Sequence, residues 1–593
     1  MRDLLIDMVG GFCYHYFTIS RVKTSGSFAA GKNSDKKISS LKSRKESVWF
    51  SFLLNALLLI GLLVVFRPVY ETNDDYGLAN MVNGVKGARD AHLIYAHYFL
   101  GLLLKVLYQL RQSVPWFSVL QYVVLYVSFT SITYVLTRRA KNQLTIWFSY
   151  LLIIWFAYEG YIKLQYTKTA GIASVAGILL LFYAVCSQRV SKRALAGGFA
   201  LSCIGFMYRD AQFFAEAALM TGIGIYLLIE LKDTQDAVKG QRQRKLFLYF
   251  GTFGGLLAAV VLLHFVDRSF YRTPEWETYD QFNEIRTELY DYGFPSYDQN
   301  EEAYRSLGID KNAYDLLRGW NFMDTEKFTK DIFEKIAELK QPRPLDLQLV
   351  KAFLKKVPLG LLKVQCFYCF LLICLYWLLC SRHDQKNILS VLYEAVLVMA
   401  VYLFMFYKNR YLLNRVDVGI WLAVSVVVLW TISDTREYFS GRYGVFVLLM
   451  VVALDQYHWK AHWRINSDEI ISAMMSARTV VETVSQDKEH LYLMPVGTVS
   501  IWRSYGVFDS PPEGLTSNIY SVGGWTANSP LYLDVLKQYG VENPMKDFIG
   551  NENVYFFAKN INKILEYVRT YYKPDAEAIV VREINGLKAY MIK

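Results

Sequence analysis

Apolar residues fall in runs of about 17 to 23 along most of the chain, divided by short polar loops. An α-helix of that length crosses a hydrocarbon core of about 30 Å. The runs predict a polytopic α-helical membrane protein of about 11 spans. They lie near 48–66, 117–136, 143–161, 169–186, 194–208, 211–231, 246–266, 359–380, 388–406, 416–432 and 443–456. Tyr and Trp gather at the ends of the runs, as an interfacial belt requires. Loop charge sets direction. Lys36, Lys37, Lys42, Arg44 and Lys45 in the tail 1–47, Arg138-Arg139-Ala-Lys141, and the loops 189–193 and 232–245 are basic, which places them on the cytoplasmic side. The stretch 90–113 has helical apolar spacing but also carries Arg89, Asp90, His92, His97 and Lys105. If it crossed, the basic loop at 138–141 would fall outside. It is therefore expected as an outer juxtamembrane helix within the first outer loop, 67–116.

Two polar regions fall outside on this count. The loop 267–350 carries aromatic residues at helical spacing, Trp276, Tyr279, Phe282 and Tyr290 among them, and predicts short helices capping the transmembrane domain 48–456. Residues 457–593 read as a small extracytoplasmic α/β domain. Helical patterns lie at 467–484 and 561–571 and strand patterns at 491–495 and 553–557, and a hairpin turns at Asn585-Gly586.

Composition narrows the class. Of 593 residues 53% are hydrophobic and only 20% charged, too apolar for a soluble chain of this length. The net charge of +11 follows the positive-inside pattern and implies no nucleic-acid partner. The predicted outer regions hold no cysteine, so no disulfide framework supports them and a bacterial plasma membrane fits. Residues 1–20 lack a cleavage site of the secretory kind. Cys366 and Cys369 sit inside a span without a second pair, which is a poor zinc pattern.

The candidate chemistry lies at the outer ends of spans. Asp74 and Asp75 follow the first span, in Asn73-Asp-Asp-Tyr-Gly77. A carboxylate there acts as general base, or the pair is a turn or helix cap; both readings stand on the residues alone. Lys168, Arg209, Lys408, Arg410 and Arg415 lie on the predicted outer side, against the positive-inside rule. An anionic ligand such as a lipid phosphate gives them a task, and arginine meets phosphate bidentately; the alternative is that they pair with outer carboxylates or lipid headgroups. Glu216 and Glu394 fall within spans, as functional carboxyls or as packing groups. His92 and His97 lie about one turn apart with no carboxylate ligand fixed beside them, so no metal site is assigned. Lys355, Lys356 and Lys363 precede a span and read as snorkelling lysines.

The acidic loop motif after a first span, the helix 90–113 and the next span ending at Arg138-Arg139 resemble the glycosyltransferase C (GT-C) superfamily of membrane glycosyltransferases. The resemblance covers the plan of 48–456 and is close over the first 95 residues or so of it. It implies a polyprenyl-phosphate-linked sugar as donor, an envelope glycan, lipid or protein as acceptor, and Asp75 or Asp74 as catalytic base. The cations Arg410, Arg415, Lys408, Arg209 and Lys168 would hold the donor phosphate. No cofactor is assigned, and because in some branches the first-loop carboxylate helps hold a metal, a divalent cation stays open. The expectation is an inverting glycosyltransferase at the outer face of the plasma membrane. The alternatives are a transporter or flippase of lipid-linked sugars and a non-catalytic envelope-assembly protein.

Overall fold

The structure is a computed structural model that describes residues 48–140, 142–187, 190–232, 239–341, 343–380, 384–432, 456–498 and 504–593. The chain divides into two compact units, Met1–Phe52 and Leu53–Lys593. Of the first, only the start of one helix is described. Seven helices are long and apolar enough to cross a membrane: Val48–Val65, Trp116–Arg139, Tyr166–Cys186, Asp210–Lys232, Arg242–Phe270, Gln385–Tyr407 and Asn414–Ile432. Leu347–Leu361 and Gln365–Leu379 make an eighth if the pair, bent by 90°, is one span. The chain is thus a helical membrane protein.

Two other predicted spans form helices that miss this criterion. Lys192–Tyr208 is 17 residues long. Gln143–Tyr161 carries Trp147, Tyr150, Trp155, Tyr158 and Tyr161, which dilute its aliphatic content. The span expected at 443–456 lies almost wholly outside the described residues. Tyr166–Cys186 and Asn414–Ile432 are the innermost helices, each 89% buried over its most apolar window. Small residues let the first of them pack backbone to backbone against Lys192–Tyr208. A Cβ on Gly177 would stand 2.5 Å from the Ser202 nitrogen.

The segment expected as a helix over 90–113 is helical only at Tyr98–Leu110. Upstream, the backbone turns at Ile94 (φ 60°). The Asp90 carboxylate accepts from the His92 backbone nitrogen, which favours a turn over a helix. His97 then caps the helix, its ring nitrogen accepting from Phe99 N at 3.1 Å. His92 bonds Asp90 and the Phe270 carbonyl. Both histidines are thus structural. The Ala91 carbonyl rests against Gly101, where any Cβ would collide with it.

Helices Pro274–Tyr292, Glu301–Ser306, Lys311–Arg318 and Lys330–Glu338 occupy the 267–350 region. The C-terminal region contains a five-stranded sheet, ordered β4-β3-β5-β7-β6 with β3 Leu491–Met494, β4 Ile519–Ser521, β5 Val554–Ala558, β6 Ala578–Ile584 and β7 Leu587–Ile592. β4, β3 and β5 run parallel and β5, β7 and β6 antiparallel. One apolar core, including Leu78, Leu104, Phe282, Phe333, Leu491 and Phe556, runs through the first loop, the 267–350 helices and this sheet. The three form a single cap over one end of the spans.

Candidate functional site

A two-residue ladder builds the site. β1, Val69–Tyr70, pairs in parallel with β2, Lys163–Leu164. Val69 N donates to Ile162 O at 2.8 Å and Glu71 N to Leu164 O at 3.0 Å. This fixes the chain after the first span beside the start of Tyr166–Cys186. The chain then enters helix Asn73–Val82, with Thr72 at the N-cap position and Asp74 and Asp75 in the first turn. Carboxylates are favoured there by the helix dipole.

The two aspartates diverge. Asp75 is fully buried. Its Oδ1 accepts from Gln121 Nε2 at 3.0 Å and from Tyr166 N at 2.8 Å, the first amide of the next helix. Thr169 Oγ1 donates to Gln121 Oε1 at 2.9 Å, which fixes the carboxamide with its NH2 toward Asp75. Asp75 Oδ2 is buried without a hydrogen-bond partner among the described residues. Burial pushes the Asp75 carboxyl well above the usual carboxylate range; the Gln121 bond opposes the shift and the Asp74 charge adds to it. Asp74 instead pairs with Arg415, Oδ2 to Nη1 at 3.1 Å.

Next to them lies a buried ion network. Lys168 is fully enclosed; its Nζ meets Glu159 Oε2 at 2.7 Å and also pairs with Glu71. Lys163 binds the other Glu159 oxygen at 2.7 Å. Asn414 donates to Glu71 at 2.9 Å and to Glu159 at 3.0 Å. Lys168 thus bridges Glu71, which follows β1, and Glu159, which precedes β2.

The remaining cations lie elsewhere. Arg410 pairs with Asp291 at 2.9 Å, and both Lys408 and Arg410 stand over the Tyr292 ring, at 5.6 and 5.9 Å. The structure brings Arg415 to the aspartates but sets Lys408 and Arg410 on the end of helix Pro274–Tyr292. Arg209 Nη1 donates to the Tyr95 carbonyl at 3.4 Å, its guanidinium lies 5.0 Å from the Tyr95 ring, and it is within electrostatic reach of Asp74.

Arg286 has no counterpart in the sequence expectations. Its side chain is 2% exposed and donates to Tyr95 Oη at 3.0 Å, Asn283 Oδ1 at 2.9 Å and Thr287 Oγ1 at 2.8 Å. Among the described residues, no carboxylate pairs with Arg209 or Arg286. Two guanidinium groups thus flank Tyr95 with no carboxylate bonded to either among the described residues, although the Asp210 and Asp74 charges act on Arg209; of the two, only Arg286 is buried. The signal was present in sequence: Arg286 falls in the stripe Tyr279, Phe282, Arg286, Leu289, where an apolar residue is expected.

Among the described residues, no three His, Cys, Asp or Glu side chains group as metal ligands. Glu71, Glu159 and Asp74 are already neutralised by Lys168, Lys163 and Arg415. These three carboxylates, so paired, do not fit a divalent cation.

The chain is similar to ArnT. The chain of ArnT from Cupriavidus metallidurans bound to undecaprenyl phosphate is 12% identical, with a TM-score of 0.39, over 92% of this chain and 97% of that one. Its apo state is 12% identical with a TM-score of 0.35, over 91% and 97%. No family model and no curated protein matches. At this identity and these scores the two ArnT structures are a likeness only, and the site's own residues carry the functional reading.

Proposed function

We propose that the chain is a glycosyltransferase that moves a sugar from a polyprenyl-phosphate donor to a hydroxyl acceptor, with Asp75 as general base. The observation that carries this is a buried carboxylate with one oxygen oriented by two donors and the other without a partner among the described residues, in a region that also holds Arg415 paired with Asp74 and the guanidinium groups of Arg209 and Arg286 around Tyr95. Burial raises the proton affinity of the Asp75 carboxyl, which suits a group that accepts a proton. In the reaction the acceptor O–H proton passes to Asp75 Oδ2 as the acceptor oxygen bonds the anomeric carbon. The bond from that carbon to the phosphate oxygen breaks, and the lipid phosphate leaves with the electron pair. Displacement from the opposite face inverts the anomeric centre. Arg209, Arg286 and Arg415 receive the phosphate charge; Lys408 and Arg410, paired with the cap helix, hold that helix over the site. The aspartate end then faces outward, toward envelope acceptors.

Glu216 and Glu394 are the observation that favours a transporter of lipid-linked sugars, since both are buried within spans and neither Glu394 oxygen has a partner among the described residues. One experiment separates the two readings. The purified chain is reconstituted with a panel of polyprenyl-phosphate sugars and envelope acceptors, and free polyprenyl phosphate is measured. Release that depends on donor and acceptor supports the transferase. Lipid-sugar translocation across the vesicle without release overturns it.

A further inference from the structure

Helix Leu347–Leu361 runs at 90° to the helix that follows it, Gln365–Leu379. One face, Leu349, Phe353 and Val357, is buried, and Phe353 packs on Phe406 at 5.7 Å between ring centroids. Arg343 ties the same region down by donating to the Phe406 carbonyl at 2.8 Å. The next face is apolar yet uncovered. Leu347, Val350, Leu354, Leu359 and Leu362 are exposed, Leu347 by 68%. Between Leu347 and Phe367 the chain has four lysines, Lys351, Lys355, Lys356 and Lys363, and no carboxylate. None of the four is paired with an acidic side chain among the described residues. A neutral solvated helix shows neither feature, and a span tolerates neither the lysines nor the right angle.

We infer that Leu347–Lys363 lies in the plane of the membrane and binds the headgroups of anionic phospholipids. Its leucines enter the acyl boundary and its lysines rise to the phosphates. Charge complementarity selects the occupant. A second copy of the chain would bring four more lysines to the same face, whereas an anionic leaflet neutralises them. The position gives the surface a use. The helix abuts the end of Gln385–Tyr407, from which the chain runs directly to Asn414 and Arg415. Anionic lipids therefore concentrate beside the candidate site. The inference needs only that the chain spans a membrane and does not depend on the transferase reading.

The test uses the full chain, with Leu354 replaced by a photo-crosslinking amino acid, in nanodiscs of equimolar phosphatidylglycerol and phosphatidylcholine. Adducts are identified by mass. Phosphatidylglycerol adducts should exceed phosphatidylcholine adducts, and the ratio should fall toward one as sodium chloride rises. Each Lys→Gln change among the four should lower the ratio roughly fivefold at low salt. Sodium phosphate should act no more strongly than sodium chloride of equal ionic strength. Equal adducts at low salt, adducts to protein in place of lipid, or selective displacement by inorganic phosphate would each overturn the inference. The salt titration of the chain with its lysines intact decides the matter even if a lysine variant fails to fold.

Discussion

Lys168 offers the sharpest test of how the site is held. Its ammonium is fully buried and compensates two carboxylates on different segments, Glu71 after the first span and Glu159 at the end of Gln143–Tyr161. It also donates to the Glu159 and Lys163 carbonyls, each at 3.2 Å. Lys168→Met removes the charge but keeps the volume. Glu159 retains Lys163 and Asn414, whereas Glu71 keeps only the neutral Asn414 amide. Breaking a buried pair and leaving one charge uncompensated costs about 3–5 kcal/mol. Because Glu159 stays paired and Glu71 is partly open to solvent, the low end, about 3 kcal/mol, is expected. In a Glu71→Gln background the orphaned charge is gone, so the same change should cost at least about 1.5 kcal/mol less, a coupling typical of contacting residues. The assay is denaturant unfolding of the purified chain in mixed micelles for the four members of the cycle. A loss under about 1 kcal/mol for Lys168→Met, or an equal loss in both backgrounds, would refute the network as the clamp on β1 and β2.

Other outcomes follow from the same geometry. Gln121→Met deletes a hydrogen bond that favours ionised Asp75, so the acid limb of the pH–rate profile should move up by about one to two pH units; an unmoved limb counts against Gln121 as the orienting group. Arg286→Met should weaken donor binding roughly 10- to 100-fold, the worth of a charged hydrogen bond, while leaving thermal stability unchanged or raised, because the charge it removes has no carboxylate partner; lost stability with intact binding would make Arg286 a packing residue. Lys86, buried against the Thr516 and Ile519 carbonyls at 3.3 and 2.6 Å, has its pKa pulled down to about 7 by burial, with the Lys488 charge adding to the shift. Between pH 7 and the ordinary lysine value of 10.5 the unfolded chain binds the extra proton, so stability should rise with pH over that window, and Lys86→Met should flatten the rise.

Charge placement made part of this site legible in sequence. Asp74, Asp75 and Arg415 stood out because charges beside apolar runs are costly, and the structure brings the three together. Lys408 and Arg410 gave the same signal, yet they meet Asp291 and Tyr292, and helix Pro274–Tyr292 has no sequence mark placing it there. Lys168 read as a phosphate ligand or as the partner of an outer carboxylate, and Glu71, nearly a hundred residues upstream, had no reason in sequence to face it. The Tyr166 amide that binds Asp75 is backbone and leaves no trace in residue identity. In the cap, the hairpin at Asn585-Gly586 was legible from its turn chemistry. β4 was not, since its three residues are too few to show alternation and it pairs with β3 across an intervening segment.

The most direct test of the central claim is turnover of Asp75→Asn in purified, reconstituted protein. Asparagine keeps the shape and the acceptor that Gln121 and Tyr166 bind, so the fold and the donor affinity should persist. Release of polyprenyl phosphate should fall by about 10²- to 10⁴-fold, the worth of general-base catalysis, and Asp74→Asn should lose less. Turnover at the unsubstituted rate in Asp75→Asn would contradict the assignment of Asp75 as the base.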